Sequence, residues 1–229
     1  QMNVMRDTIP GLYCNIILPD GAVADSTGYL LTAVGFGPAA VEFNGIHYAT
    51  LRQEEHSTHD SLVIARVTQS GILVDTGGLS VGAVHLNWKR DLAAVRDTLM
   101  VVWRDHPDGK EHDGIFTRRY DANMQALDSL PRAISPSGGA VQGVSVSNFG
   151  DDFAVLWAHE LGDPAGVSSD DVVGRRVHTT GQVRDSAIAV FSLAANSQKN
   201  IDIACDGRDF MAVWEDYRSD STVHDRQIR

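Results

Sequence analysis

The stretch Phe210–Asp220, "FMAVWEDYRSD", restates Leu99–Gly109, "LMVVWRDHPDG": an apolar run, a Trp, then an acidic turn. The pattern recurs as "MNVMRD" at Met2–Asp7, "HYATLRQ" at His47–Gln53 and "FAVLWAH" at Phe153–His159. Its aligned anchors, Met5, Leu51, Trp103, Trp157 and Trp214, are 46, 52, 54 and 57 residues apart. A period of that size means one supersecondary unit copied in tandem.

Each anchor has companions. A strand-like run closed by a turn follows it: "LYCNIILPDG" from Leu12, "LVIARVTQSG" from Leu62, "IFTRRYDANM" from Ile115 and "VVGRRVHTTG" from Val172. Four residues past each of these turns stands an aspartate: Asp25, Asp75, Asp128 and Asp185. Short strands ending in turn residues precede the anchors, as in "AAVEFNG", "DLAAVRD", "GVSVSNFG" and "IDIACDG". A strand, a tight turn and a second strand make a hairpin. No 3.6-residue periodicity persists over helical length. Four strands, A to D, repeated every ~50 residues describe the blades of a β-propeller.

The expected fold class is therefore all-β, a propeller of four-stranded antiparallel blades with no helix longer than ~10 residues. The whole chain, 1–229, reads as one domain with repeats at approximately 1–38, 39–90, 91–142, 143–200 and 201–229. About five blades are visible and the terminal ones are incomplete, which predicts part of a larger propeller. Open blade edges would then allow self-association. The A strands carry small or β-branched residues, which suits the crowded axis. Trp214 is expected to be buried between blades.

Composition narrows the partners. With 43% hydrophobic residues the chain can fill a real core. Its net charge of −11 argues against nucleic acid as a partner. No apolar run approaches the ~18 residues of a membrane helix, so no membrane insertion is expected. Two cysteines, Cys14 and Cys205, are too few for a disulfide framework and read as buried thiols.

The repeat resembles the tandem propeller repeats of large secreted or surface proteins of bacteria, with the form "VVWxDxR…DIYxxRxxxxG". The matching segments are "AVWEDYRSD", "VVWRDHPDG…DGIFTRRYDANM" and "DVVGRRVHTTG". The first two copies depart from it, with Met5 and Leu51 in place of Trp. The resemblance implies a propeller and a secreted or cell-surface location. It covers adhesins, lectin-like proteins and enzyme-attached modules alike.

Two sets of residues could carry function. The turns after strand B are rich in Asp, Glu and His, and place His56, His59, Asp105, His106, His112, His159, Asp216 and His224 on one face. Such a face suits a sugar or a divalent cation, and its oxygen donors would favour calcium over zinc. The second set is Asp91 and Asp202, each 12 residues before its Trp, on strand A. Propeller glycosidases place paired carboxylates on these inner strands. The equivalent positions in the other repeats read as Ala39 and Ser145. The repeated Arg66, Arg119 and Arg176 of strand C are expected to meet Asp105 and Asp216 across the hairpin. The leading expectation is a non-enzymatic binding or scaffold propeller, with a protein or carbohydrate partner and no catalytic residue. The alternative is a propeller-fold glycoside hydrolase using Asp91 and Asp202.

Overall fold

The computed structural model describes residues 10–33, 40–55, 60–84, 89–106, 113–136, 140–161, 170–194, 196–217 and 227–228. They form strands and no helix. The first repeat contributes β1 (Leu12–Cys14) and β2 (Tyr29–Thr32). The second forms β3 (Ala40–Phe43), β4 (Tyr48–Glu55), β5 (Asp60–Val67) and β6 (Leu79–Val84). The third forms β7 (Arg90–Val95), β8 (Thr98–Asp105), β9 (Gly114–Asp121) and β10 (Arg132–Ala133). The fourth forms β11 (Val141–Phe149), β12 (Asp152–Glu160), β13 (Asp170–His178) and β14 (Ala189–Ser192). The fifth forms β15 (Gln198–Cys205), β16 (Phe210–Asp216) and β17 (Gln227–Ile228).

Every sheet is antiparallel, and the three central ones run in simple chain order, A-B-C-D. Their first strands pack in succession, β3 against β7, β7 against β11 and β11 against β15. Sheets gathered around their first strands are the blades of a β-propeller. The outermost strands β10 and β14 are short and exposed, which discourages pairing at the edge.

The second strands β8 and β12 are apolar without alternation because each is covered on both faces. In β8, Leu99, Val101 and Trp103 face the second sheet, while Met100 and Val102 face the fourth. In β12, Phe153, Val155 and Trp157 face the third sheet, while Ala154, Leu156 and Ala158 face the fifth. Period-2 geometry thus splits one apolar run between two interfaces.

The register moves one anchor. Arg66, Arg119 and Arg176 lie opposite Ala49, Met100 and Ala154. On that frame Trp103 and Trp157 are matched by Arg52, and Leu51 is matched by Val102. Leu51 faces the third sheet, as its parity requires. Arg52 is buried, and donates to Glu54 Oε1 at 2.7 and 2.9 Å and to the Gly77 carbonyl at 3.3 Å. A second correction concerns Trp214, which is half-buried. Its strand has a described partner on the outer side only at Glu215 and Asp216. Cys14 and Cys205 are half-buried free thiols.

The repeated arginines do not pair with Asp105 or Asp216. They pair with the aspartate nine residues further on, past the turn after strand C. Arg66 donates from N, Nε and Nη2 to Asp75, and Arg119 and Arg176 do the same to Asp128 and Asp185. This explains the fixed spacing of those aspartates. The turn between them needs a positive φ, at Gly71 and Gly181 and, unusually, at Met124. Met124 is buried between the second and third sheets, and that burial offsets a backbone cost of ~1–2 kcal/mol.

The arginine bonds hold the Asp75 and Asp185 carboxyls below their ordinary value of 3.8. A depressed folded pKa contributes stability above the unfolded value, and loses it as pH falls through the folded one. Acid unfolding below pH ~4 is therefore expected to be shallower in Asp75→Asn and Asp185→Asn than in the wild type, read by circular dichroism.

Candidate functional site

The described residues at the ends of the second strands include four of those expected on the rim. Asp105, His159 and Asp216 are buried. His159 has its pKa pushed down by burial, and its Nδ1 makes no hydrogen bond. His106 is half-buried, and its Nδ1 lies 2.8 Å from Asp113 Oδ1. Asp113 also accepts from Arg104 Nε at 3.0 Å. His56, His59, His112 and His224 lie outside the described residues. Among the described residues, no group of three His, Cys, Asp or Glu is placed to hold a metal ion.

The inner strands do converge. Asp91 on β7, Ser145 on β11 and Asp202 on β15 share one register level, opposite Val102, Leu156 and Val213. Ser145 Oγ lies 2.8 Å from Asp91 Oδ2 and 3.1 Å from Asp202 Oδ1. The two carboxyl oxygens are thus no more than about 6 Å apart, two hydrogen-bond lengths. The Val146 amide donates to Asp91 Oδ2 at 3.0 Å and the Leu92 amide to Oδ1 at 2.9 Å. The Ile203 amide donates to Asp202 Oδ1 at 3.0 Å.

Two β-bulges set this geometry. The register shifts between Gln142 and Ser145, and between Lys199 and Asp202. Gly143 and Asn200, each two residues before its site residue, have φ of 57° and 53°. Bulges re-aim the following side chain, and they are frequent beside active sites. Burial pushes the Asp91 carboxyl above 3.8, and neighbouring Asp202 pushes it the same way.

Glu42 belongs to the same neighbourhood. It sits on β3, two residues beyond Ala40, which the register places level with Asp91. Ala39, the position counted from the sequence, lies outside the described residues. Burial raises the Glu42 pKa, the Ala94 amide donates to its carboxyl, and Asp91 adds repulsion. Glu42 also borders a cleft of about 510 Å³ lined by Tyr13, Cys14, Phe43 and Tyr48.

Neither a protein-family model nor a curated protein sequence matches the chain. Among solved structures it is similar to a thermostable family-43 glycoside hydrolase, at 10% identity and a TM-score of 0.48, over 81% of this chain and 68% of that one. It is also similar to a GH43 endo-arabinanase from Bacillus licheniformis, at 13% identity and a TM-score of 0.44, over 82% and 71%. A third is an ACO/RPE65 chimera, at 10% identity and a TM-score of 0.45, over 83% and 45%. Likeness at this level concerns the path of the chain, not its chemistry. The expectation of a non-enzymatic binding or scaffold propeller is corrected. The two aspartates that the hydrolase alternative requires meet at one hydroxyl.

Proposed function

We propose that the chain is the propeller of a glycoside hydrolase, with Asp91 and Asp202 as its two carboxyl groups. The observation that carries this reading is their convergence on Ser145 Oγ from two different blades. Glycoside hydrolysis needs one carboxyl group to protonate the leaving oxygen and a second to act at the anomeric centre, some ~5–10 Å away. Two like groups in one site have their pKa values driven apart, which suits one to each role. Asp91, withdrawn from solvent on an inner strand, takes the acid role. Asp202, open to solvent, takes the other.

Two finer points belong to the same reading. The repeat pattern supports a secreted or surface location. Its partner is then a carbohydrate met outside the cell.

The test is release of reducing sugar from a panel of polysaccharides, arabinan included, and of aryl glycosides. Wild type is expected to hydrolyse at least one. Asp91→Asn and Asp202→Asn are each expected to lose ~10²–10⁴-fold in kcat with folding retained. Wild-type inactivity across the panel, or active asparagine variants, would remove the proposal.

A further inference from the structure

We infer that Ser145 is a positioning residue that fixes the protons of this carboxyl pair: Asp91 is a neutral acid donating to Ser145 Oγ, which donates in turn to Asp202 Oδ1. The catalytic meaning of this arrangement rests on the hydrolase reading. The proton count does not.

A serine hydroxyl has one proton and two lone pairs. Here its oxygen meets two carboxyl oxygens at 2.8 and 3.1 Å. One proton satisfies only one of those contacts. With both aspartates ionised, the other contact would set lone pair against lone pair between two like charges. A second proton resolves it, and it must sit on one of the two carboxyl groups.

The surroundings choose Asp91. It is drawn in among β7, β11 and β15, whereas Asp202 is exposed. Glu42 of β3 is a further carboxyl in the neighbourhood, its own pKa raised by burial and, less, by Asp91. Lys89 Nζ is 3.5 Å from the carbonyl of Ile201, the residue before Asp202. Protonation leaves the other bonds of Asp91 intact. Oδ2 still accepts the Val146 amide while its own hydrogen goes to Ser145, and Oδ1 still accepts Leu92. Burial acts in the same direction by raising the Asp91 pKa.

The sign of the Ser145 effect separates this arrangement from its obvious rival. If Ser145 Oγ accepts from a neutral Asp91, removing it withdraws support from the neutral form, and the Asp91 midpoint falls. If Ser145 instead donates to an ionised Asp91, removing it makes the midpoint rise.

The experiment is a carboxyl ¹³C NMR titration of the full chain labelled at aspartate. In the wild type, one aspartate is expected to titrate at least ~1 pH unit above the ordinary range. That resonance should be missing from Asp91→Asn. Its midpoint should fall by at least ~0.5 unit in Ser145→Ala and return in Ser145→Thr. No aspartate above the ordinary range, or a rise in Ser145→Ala, overturns the inference. Should Ser145→Ala fail to fold, the wild type and Asp91→Asn spectra still decide the proton on Asp91. No activity is read, so failure to hydrolyse any glycan leaves this result standing, and the reverse holds equally.

Discussion

Trp157→Ala is expected to destabilise the chain by ~3–5 kcal/mol, measured by urea unfolding. Trp157 is fully buried and packs with Phe153, Val155, Val141 and Ile134 between the third and fourth sheets. Truncation there removes a large apolar surface and leaves a cavity that two rigid sheets cannot collapse to fill. Trp214 holds the same place in the repeat but is half-buried, against the cluster that holds Ile201 and Ile203. Its truncation is expected to cost ~1–2 kcal/mol, in proportion to the area lost. Equal losses at the two positions would mean that the fifth sheet is as well covered as the fourth.

Asp128→Ala is expected to cost ~3–5 kcal/mol, because it strands a buried guanidinium. Arg119 and Asp128 are each 8% exposed. Three donors of Arg119 converge on that carboxylate, and Nη1 reaches the Thr179 carbonyl of the next blade at 2.5 Å. The guanidinium lies against Gly181, where an added Cβ would come within 2.6 Å of it. The equivalent pair in the fourth sheet, Arg176 and Asp185, is a control. The Arg176 side chain is 47% exposed, so Asp185→Ala is expected to cost less than ~1 kcal/mol. The double change Arg119→Met with Asp128→Leu should recover most of the loss, because it removes both charges together.

The architecture was legible because a propeller writes its unit several times. Repetition separated the signal of strand, Trp and turn from the noise of any one copy. It also exposed the aspartates nine residues after Arg66, Arg119 and Arg176, although their partner was misjudged. Strand B and strand C are neighbours in the sheet, so pairing across the hairpin looked natural. The turn after strand C folds back on its own strand, and side chains there reach the arginine first. A β-strand hides a one-residue slip when both faces are apolar, which is why Leu51 stood in for Arg52.

The site was legible in part. Asp91 and Asp202 stand out as acidic residues on strands that otherwise carry small apolar ones. Ser145 looked like a gap in the series, yet it is the group between them. The bulges at Gly143 and Asn200 have no simple sequence mark, since Asn200 is not a glycine. Glu42 escaped because it lies two residues beyond the level of Asp91, on the same face of its strand. Of the expected rim residues, Asp105, His159 and Asp216 lie at or near the ends of second strands and are buried there.

The most direct test is a crystal structure of Asp202→Asn, held inactive, with a bound oligosaccharide from the hydrolysis panel. A glycosidic linkage is expected at the axis, with a sugar oxygen in hydrogen-bond reach of Asp91 and of residue 202. A sugar seated only on the outer rim, around His106 and Asp113, with the axial carboxyl groups untouched, would contradict it.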